Sequence, residues 1–285
     1  MAASLTLDCR GRRLDLARRT HVMGVINCTP DSFYGGSRSP DAEAAVALGL
    51  RMVGEGADLL DVGGESTRPG SDPVSVREEL ARVLPVVEAL ALRAPVPISV
   101  DTTKAAVART ALEAGAHLVN DVSGLRFDPE MPEVVRAYGV PVVVMHMKGR
   151  PRDMQVDPHY DDLMGEIRRF FEERLAFAEG AGIGRERVVL DPGIGFGKRF
   201  GHNFEIIRRL GEFADLGRPL LLGPSRKSFL GALQDLAPEE RLEGTAAAVT
   251  AGILAGAHIV RVHDVAAMVR VARVADAIAG KAEVR

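Results

Sequence analysis

Short apolar runs recur along the chain at regular intervals. They are His21–Ile26, Asp58–Val62, Ile98–Asp101, Leu118–Asp121, Pro141–His146, Val188–Asp191, Pro219–Gly223 and His258–Val262. Most are too short for helices and rich in Val, Ile and Leu, which suits strands buried on both faces of a parallel sheet. Longer helical patterns separate them. Asp41–Glu55 carries Ala, Val, Leu and Met at helical spacing. Ser75–Arg93 opens on Ser75 with Glu78 three residues later, a capping-box pattern. Pro85 within it predicts a kink or a break. Asp162–Gly180 reads as a long amphipathic helix, Glu243–Ala255 as an Ala-rich one before Gly256, and Asp264–Ala279 closes the chain. Strand–helix alternation repeated eight times over about 250 residues predicts an α/β protein, a (β/α)8 TIM barrel. No linker divides the chain, so residues 1–285 are expected to form a single domain. An open doubly wound sheet is the alternative, but no Gly-x-Gly-x-x-Gly follows the first strand.

Polar residues gather where these strands end. Asn27 follows the first strand, and Asp61, Glu65, Thr67 and Arg68 the second. Asp101 ends the third and Asn120-Asp121 the fourth. His146 and Lys148 follow the fifth, Asp191 and Lys198 the sixth, Ser225, Arg226 and Lys227 the seventh, and Arg261 and His263 the eighth. In a parallel barrel these positions converge on the C-terminal face, where active sites sit. Asp101, Asn120 and Asp191 end otherwise apolar strands, so they need partners. They form an acceptor–donor set for a flat heterocycle with ring NH and NH2 groups. Capping of the following helices is the competing role for Asp101 and Asp121. Arg68, Lys227, Arg261 and His263 suit an anionic group such as a diphosphate. Asn27 could share a hard cation with that diphosphate, since Mg2+ commonly takes few protein oxygens; a simple turn role for Asn27 stays open. Two glycine-bearing loops, 29–36 and 63–70, read as covers for the site. Asp191–Lys198 resembles a phosphate loop but lacks the Walker spacing.

Composition narrows the class of protein. Of 285 residues, 46% are hydrophobic and 26% charged, an ordinary globular balance. A net charge of −3 does not favour nucleic-acid binding. Cys9 and Cys28 are too few for a disulfide framework, and a reduced, cytoplasmic compartment fits best. The first residues show no signal-peptide core, and no apolar run is long enough to cross a membrane. Only five of the 36 basic residues are lysines, and four of those fall in or just after the strand-end loops.

The segment Met23-Gly-Val-Ile-Asn-Cys-Thr-Pro-Asp-Ser-Phe33 resembles the first signature of dihydropteroate synthases, and Asp61-Val-Gly-Gly-Glu-Ser-Thr-Arg-Pro-Gly70 the second. Ser99-Val-Asp-Thr, Asn120-Asp-Val-Ser-Gly, His146-Met-Lys-Gly, Asp191-Pro-Gly-Ile-Gly-Phe-Gly-Lys, Ser225-Arg-Lys-Ser-Phe and Arg261-Val-His-Asp continue the likeness in order. It runs from about residue 23 to about residue 264.

That resemblance implies a reaction. Such enzymes condense 6-hydroxymethyl-7,8-dihydropterin diphosphate with 4-aminobenzoate, releasing diphosphate. By the family pattern, Asp101, Asn120, Asp191 and Lys227 would hold the pterin, with Met145 and Phe196 packing near its ring. Asn27 would touch Mg2+ on the diphosphate, and Arg68, Arg261 and His263 would bind the diphosphate. Thr67, Pro69 and Ser228 would line the aminobenzoate site, with Phe33 closing over it. Lys227, Arg68, Asp101 and Asp191 would serve the chemistry, an SN1-like displacement needing no covalent nucleophile. A homodimer through the last barrel helices is expected. One departure is visible: Tyr34, rather than an acid, precedes Gly35-Gly36, and Asp31 remains as the loop's acid. Pterin-binding barrels of corrinoid-linked methyl transfer share the Asp, Asn and Asp pocket. The Thr-Pro-Asp-Ser-Phe, Ser-Thr-Arg-Pro-Gly and Ser-Arg-Lys segments separate this chain from them.

Overall fold

A hairpin precedes the first expected strand. Its strands are β1 (Thr6–Cys9) and β2 (Arg12–Asp15), paired antiparallel with Cys9 opposite Arg12. Arg10 and Gly11 both have positive φ, as a two-residue hairpin turn requires, and Asp8 Oδ1 accepts the Gly11 N–H at 2.7 Å. The sequence reading missed this hairpin, whose Leu7, Cys9 and Leu14 alternate with charged residues. The computed structural model describes residues 5–29, 38–67 and 70–281, with residues 38–41 as backbone alone.

The eight expected strands then follow as β3 (His21–Asn27), β4 (Leu59–Gly63), β5 (Ile98–Asp101), β6 (Leu118–Asp121), β7 (Val142–Met145), β8 (Val188–Asp191), β9 (Leu221–Leu222) and β10 (Ile259–Val262). They form one parallel sheet in the order β8-β7-β6-β5-β4-β3-β10-β9. A parallel bridge between Leu190 and Leu220 joins its two ends, which closes the barrel. The open-sheet alternative is thereby excluded.

Helices fill the connections: α1 (Arg38–Gly54), α2 (Val76–Arg93), α3 (Ala105–Glu113), α4 (Met131–Tyr138), α5 (Leu163–Gly180), α6 (Phe200–Arg209), α7 (Ser228–Gly231), α8 (Leu242–Leu254) and α9 (Val265–Ile278). Ser75 caps α2 by accepting from the Glu78 N–H, and Asp162 caps α5 through the Gly165 N–H. Of the kink or break expected at Pro85, the break does not occur; α2 is continuous through it. Pro85 and Ala81 both lie on the exposed face, so water can serve the carbonyl that proline leaves without a donor.

Side-chain parity along the strands sorts the interior. Outward residues such as Leu60, Val62, Val100, Val119, Val144, Leu190 and Val260 pack with the helices in the main core. Inward residues one step away form a second core: Met23, Leu59, Leu118, Val143, Val189, Leu221 and Ile259, one from each of seven strands. Leu7, Cys9, Leu14 and Leu16 of the hairpin segment join that cluster. The hairpin therefore stops the N-terminal end of the barrel. Two residues further along the strands, the same inward parity delivers Asp61, Asn120, Met145, Asp191 and Arg261, with Asp101 two beyond Ser99 on β5. The apolar layer thus forms the floor of a polar one.

Candidate active site

The polar layer is built around Arg261. Its Nε donates to Asp61 Oδ2 at 2.6 Å and its Nη2 to Asp101 Oδ2 at 2.7 Å. Asn120 Nδ2 donates to the same Asp61 oxygen at 2.9 Å. Asp61 is fully buried, and its Oδ1 is left without a partner. Two carboxylates, an amide and one guanidinium from β4, β5, β6 and β10 thus share a single network. The sequence marks Asp61 only as a strand-end residue; its inward parity with Leu59 is the signal that assigns it to the pocket.

Asp191 ends β8 and accepts the Gly193 N–H at 2.7 Å. Lys227 reaches in from the loop after β9. Its amine donates to the Ile194 carbonyl and lies 4.5 Å from the Phe196 ring centroid. Phe196 and Met145 belong to one apolar cluster with Val122, Met147 and Met154. Asp101, Asn120, Asp191, Lys227, Met145 and Phe196 therefore lie on contiguous elements at the C-terminal mouth, as expected.

Burial sets the electrostatics. It pushes the Asp101 carboxyl up to about 8, against the pull of Arg261 and with the help of the neighbouring Asp61 charge. It raises Asp191 as well, opposed chiefly by Lys227 and the Gly193 N–H. It lowers the Lys227 amine to about 8, opposed mainly by Asp191. Arg261 remains a cation, because Asp61 and Asp101 outweigh its own desolvation. The pocket therefore holds groups that can exchange protons or partners near neutral pH.

Several expectations need correction. Asp101 caps no helix: the residue before α3 is Lys104, and Asp101 is engaged with Arg261. Asp121 faces away from the pocket by parity, and its carboxylate accepts the Ser123 and Leu125 N–H groups of its own loop. The 191–198 loop is no phosphate cradle. The Gly193, Gly195 and Phe196 N–H groups are already spent on Asp191, Asn203 and the Gly193 carbonyl. Of the four loop lysines, Lys104 pairs with Glu65 and Glu79, Lys148 with Glu166, and Lys198 is buried beside His146; only Lys227 enters the pocket.

His263 contacts the Ser225 hydroxyl through its Nδ1 at 3.0 Å. Its neighbour Asp264 holds Arg226 through two bonds of 2.9 and 2.6 Å. Arg226 has φ 58°, so this clamp supports a backbone conformation that non-glycine residues rarely take. Asn27 ends β3 half-buried, and Thr67 and the exposed Ser228 stand in loops at the same face. Arg68, Pro69 and Phe33 lie outside the described residues, as do Asp31, Tyr34 and most of the first expected cover. The second cover is pinned at its flanks. Glu65 accepts from the Val74 N–H and from Lys104, Arg82 donates to the Gly64 carbonyl, and Gly70 N–H reaches Pro151.

Comparison with known proteins agrees with this geometry. Residues 23–263 match the family described as "Pterin binding enzyme". The dihydropteroate synthase of Escherichia coli K12 is 48% identical over 273 residues, 96% of this chain and 96% of that protein. The one from Synechocystis is 47% identical over 265 residues, 93% of this chain and 92% of that protein. Among solved structures, Xanthomonas albilineans dihydropteroate synthase with 4-aminobenzoic acid superposes with a TM-score of 0.91 at 48% identity, covering 97% of this chain and 98% of that one. The same enzyme in complex with 7,8-dihydropteroate gives 0.86 at 44% identity, covering 96% and 98%. A closed parallel barrel with a carboxylate–amide pocket at its mouth, matched over nearly its whole length, places the chain in the dihydropteroate synthase family of pterin-binding enzymes.

Proposed function

We infer that this chain condenses 6-hydroxymethyl-7,8-dihydropterin diphosphate with 4-aminobenzoate, forming 7,8-dihydropteroate and diphosphate in folate biosynthesis. The observation that carries the reading is the set of buried Asp61, Asn120 and Asp191 with the partly buried Asp101 at one barrel mouth, facing the Lys227 amine. Carboxylates and an amide at such depth suit the NH and NH2 edge of a pterin, with Met145 and Phe196 against the ring. The pterin's donors would take over Asp101 from Arg261, leaving that guanidinium available to the diphosphate beside His263 and Arg68. As the methylene C–O bond breaks, charge develops on the ring, and Asp101 and Asp191 are placed to balance it. The amine nitrogen then bonds to the methylene and loses its proton. Thr67, Pro69, Ser228 and Phe33 are assigned to the aminobenzoate.

Mg2+ fits as a partner of the substrate rather than of the protein. Among the described residues no cluster of three His, Cys, Asp or Glu side chains could hold a metal, and Asn27 offers one neutral oxygen. Bound there with diphosphate, Mg2+ would neutralise the leaving group. No helix among the described residues is long and apolar enough to cross a membrane, and a cytoplasmic enzyme fits the two reduced cysteines. Exposed Leu254, Val274 and Ile278 on α8 and α9 favour a homodimer through that face. Incubation with pterin diphosphate, Mg2+ and labelled 4-aminobenzoate tests the central reading. Labelled dihydropteroate is the expected product, and its absence from folded protein would refute the assignment.

A further inference from the structure

Lys198 is one of the most buried side chains in the molecule, 2% exposed. No carboxylate pairs with it among the described residues. Its amine instead meets His146 Nδ1 at 3.0 Å, the His146 carbonyl at 3.3 Å and the Phe196 carbonyl at 3.0 Å. Burial pulls this amine well below its ordinary range, opposed by the Asp191 charge, so its direct partners are these three neutral acceptors. His146 is itself buried, edge-on to Phe170 at 5.0 Å, and burial and the nearby cations hold it neutral. A neutral ring with Nδ1 accepting completes the contact.

The Pro192–Gly197 loop explains what this contact does. Gly193, Gly195 and Gly197 all have positive φ, which glycine adopts without steric cost and which lets the loop approach its neighbours closely. It lies flush on the 146–148 segment: a Cβ on Gly193 would come within 2.0 Å of the His146 carbonyl, and one on Gly197 within 2.3 Å of the Lys148 carbonyl. Its other groups are held from outside, the Gly195 carbonyl by Gln155 at 2.7 Å and the Gly197 carbonyl by Tyr160 at 2.7 Å. Between these, Lys198 turns back beneath the loop and holds the Phe196 carbonyl. The opposite side of the loop presents the Ile194 carbonyl and the Phe196 ring to the Lys227 amine.

We propose that Lys198 is a positioning residue: by tying the Phe196 carbonyl to His146, it sets the glycine loop that holds the Lys227 amine in the pterin pocket. The inference rests on the pterin reading of that pocket.

Calorimetry with pterin diphosphate and Mg2+ tests it, alongside steady-state kinetics and urea denaturation. Lys198→Met should fold at least as stably as the parent, since it removes a fully buried amine whose desolvation is unfavourable. Its dissociation constant for pterin diphosphate should rise about tenfold, the loss of one well-placed charge-assisted bond. The aminobenzoate KM at saturating pterin should stay within about twofold, because that site depends on other loops. Combined with Lys227→Met, the second substitution should add little, since both act through one amine. His146→Asn, which offers an amide oxygen in place of Nδ1, should recover affinity relative to His146→Leu. The proposal is overturned by unchanged pterin affinity in Lys198→Met, by additive effects in the double variant, or by equal affinities of the two His146 variants. If the parent protein binds no pterin diphosphate, the pterin reading itself fails.

Discussion

Replacing Lys227 with methionine should make the protein more stable while removing its grip on pterin. The amine is carried into the pocket, and burial lowers it from its ordinary 10.5 to about 8. At about 1.4 kcal/mol per tenfold, holding that charge costs the folded state roughly 3 kcal/mol. Methionine keeps the length and the packing against Phe196 but leaves the Ile194 carbonyl without its donor, which takes back about 1 kcal/mol. Solvent at the barrel mouth screens part of the remainder. A net gain of about 1–2 kcal/mol is therefore expected at pH 7. The sign with pH follows from a folded-state value below the unfolded one. Below about 8 the lysine is charged in both states and the parent carries the full cost. Between about 8 and 10.5 the folded form sheds its proton, so the advantage of the variant shrinks; above that it is gone. Urea unfolding of both proteins at pH 7, 9 and 10.5, with pterin diphosphate calorimetry at pH 7, reads each part. A variant no more stable than the parent at pH 7, or a gain indifferent to pH, would refute the reasoning.

Three further outcomes follow from the same network. Asp101→Asn should weaken pterin diphosphate binding by about 1.5–3 kcal/mol in calorimetry at pH 9, where the Asp101 carboxyl is ionised and its hydrogen bond is charge-assisted. Arg261→Met should destabilise the fold by about 3 kcal/mol, because Asp61 and Asp101 lose the cation between them. The raised Asp101 gives the direction: that loss should be smaller at pH 5 than at pH 8 by thermal unfolding. Chelation should abolish turnover and added Mg2+ restore it, while metal alone should give no calorimetric signal without diphosphate.

The strands were legible because each is a short apolar run between breakers, and the site because polar residues end those runs. What the run pattern hid was parity. Asp61 and Asp121 both sit near strand ends in acidic motifs, yet Asp61 shares the inward face of Leu59 and Asp121 the outward face of Val119. Continuous burial on both faces erases the alternation that normally shows which side is which. Lys198 was hidden for another reason. A lysine after a glycine-rich loop reads as a phosphate ligand, and only the fold shows its amine turned down onto His146. Arg226 likewise sits in a basic pair, but its positive φ and its bond to Asp264 make it a support for the Lys227 turn rather than an anion ligand.

The stopper at the far end of the barrel has an electrical consequence. Leu7, Leu14 and Leu16, with the ring of inward apolar residues above them, put hydrocarbon directly beneath Asp61 and Asp101. Hydrocarbon polarises poorly, so the field of the Asp61–Arg261–Asp101 network is little screened from below and runs preferentially out of the open mouth. An approaching dihydropterin, whose ring edge carries partial positive charge, meets that concentrated potential before it makes any contact. Opening the floor by cutting away the hairpin would let water in below, raise the local permittivity and flatten the potential. Capture of the pterin would then slow with every residue of the pocket still in place.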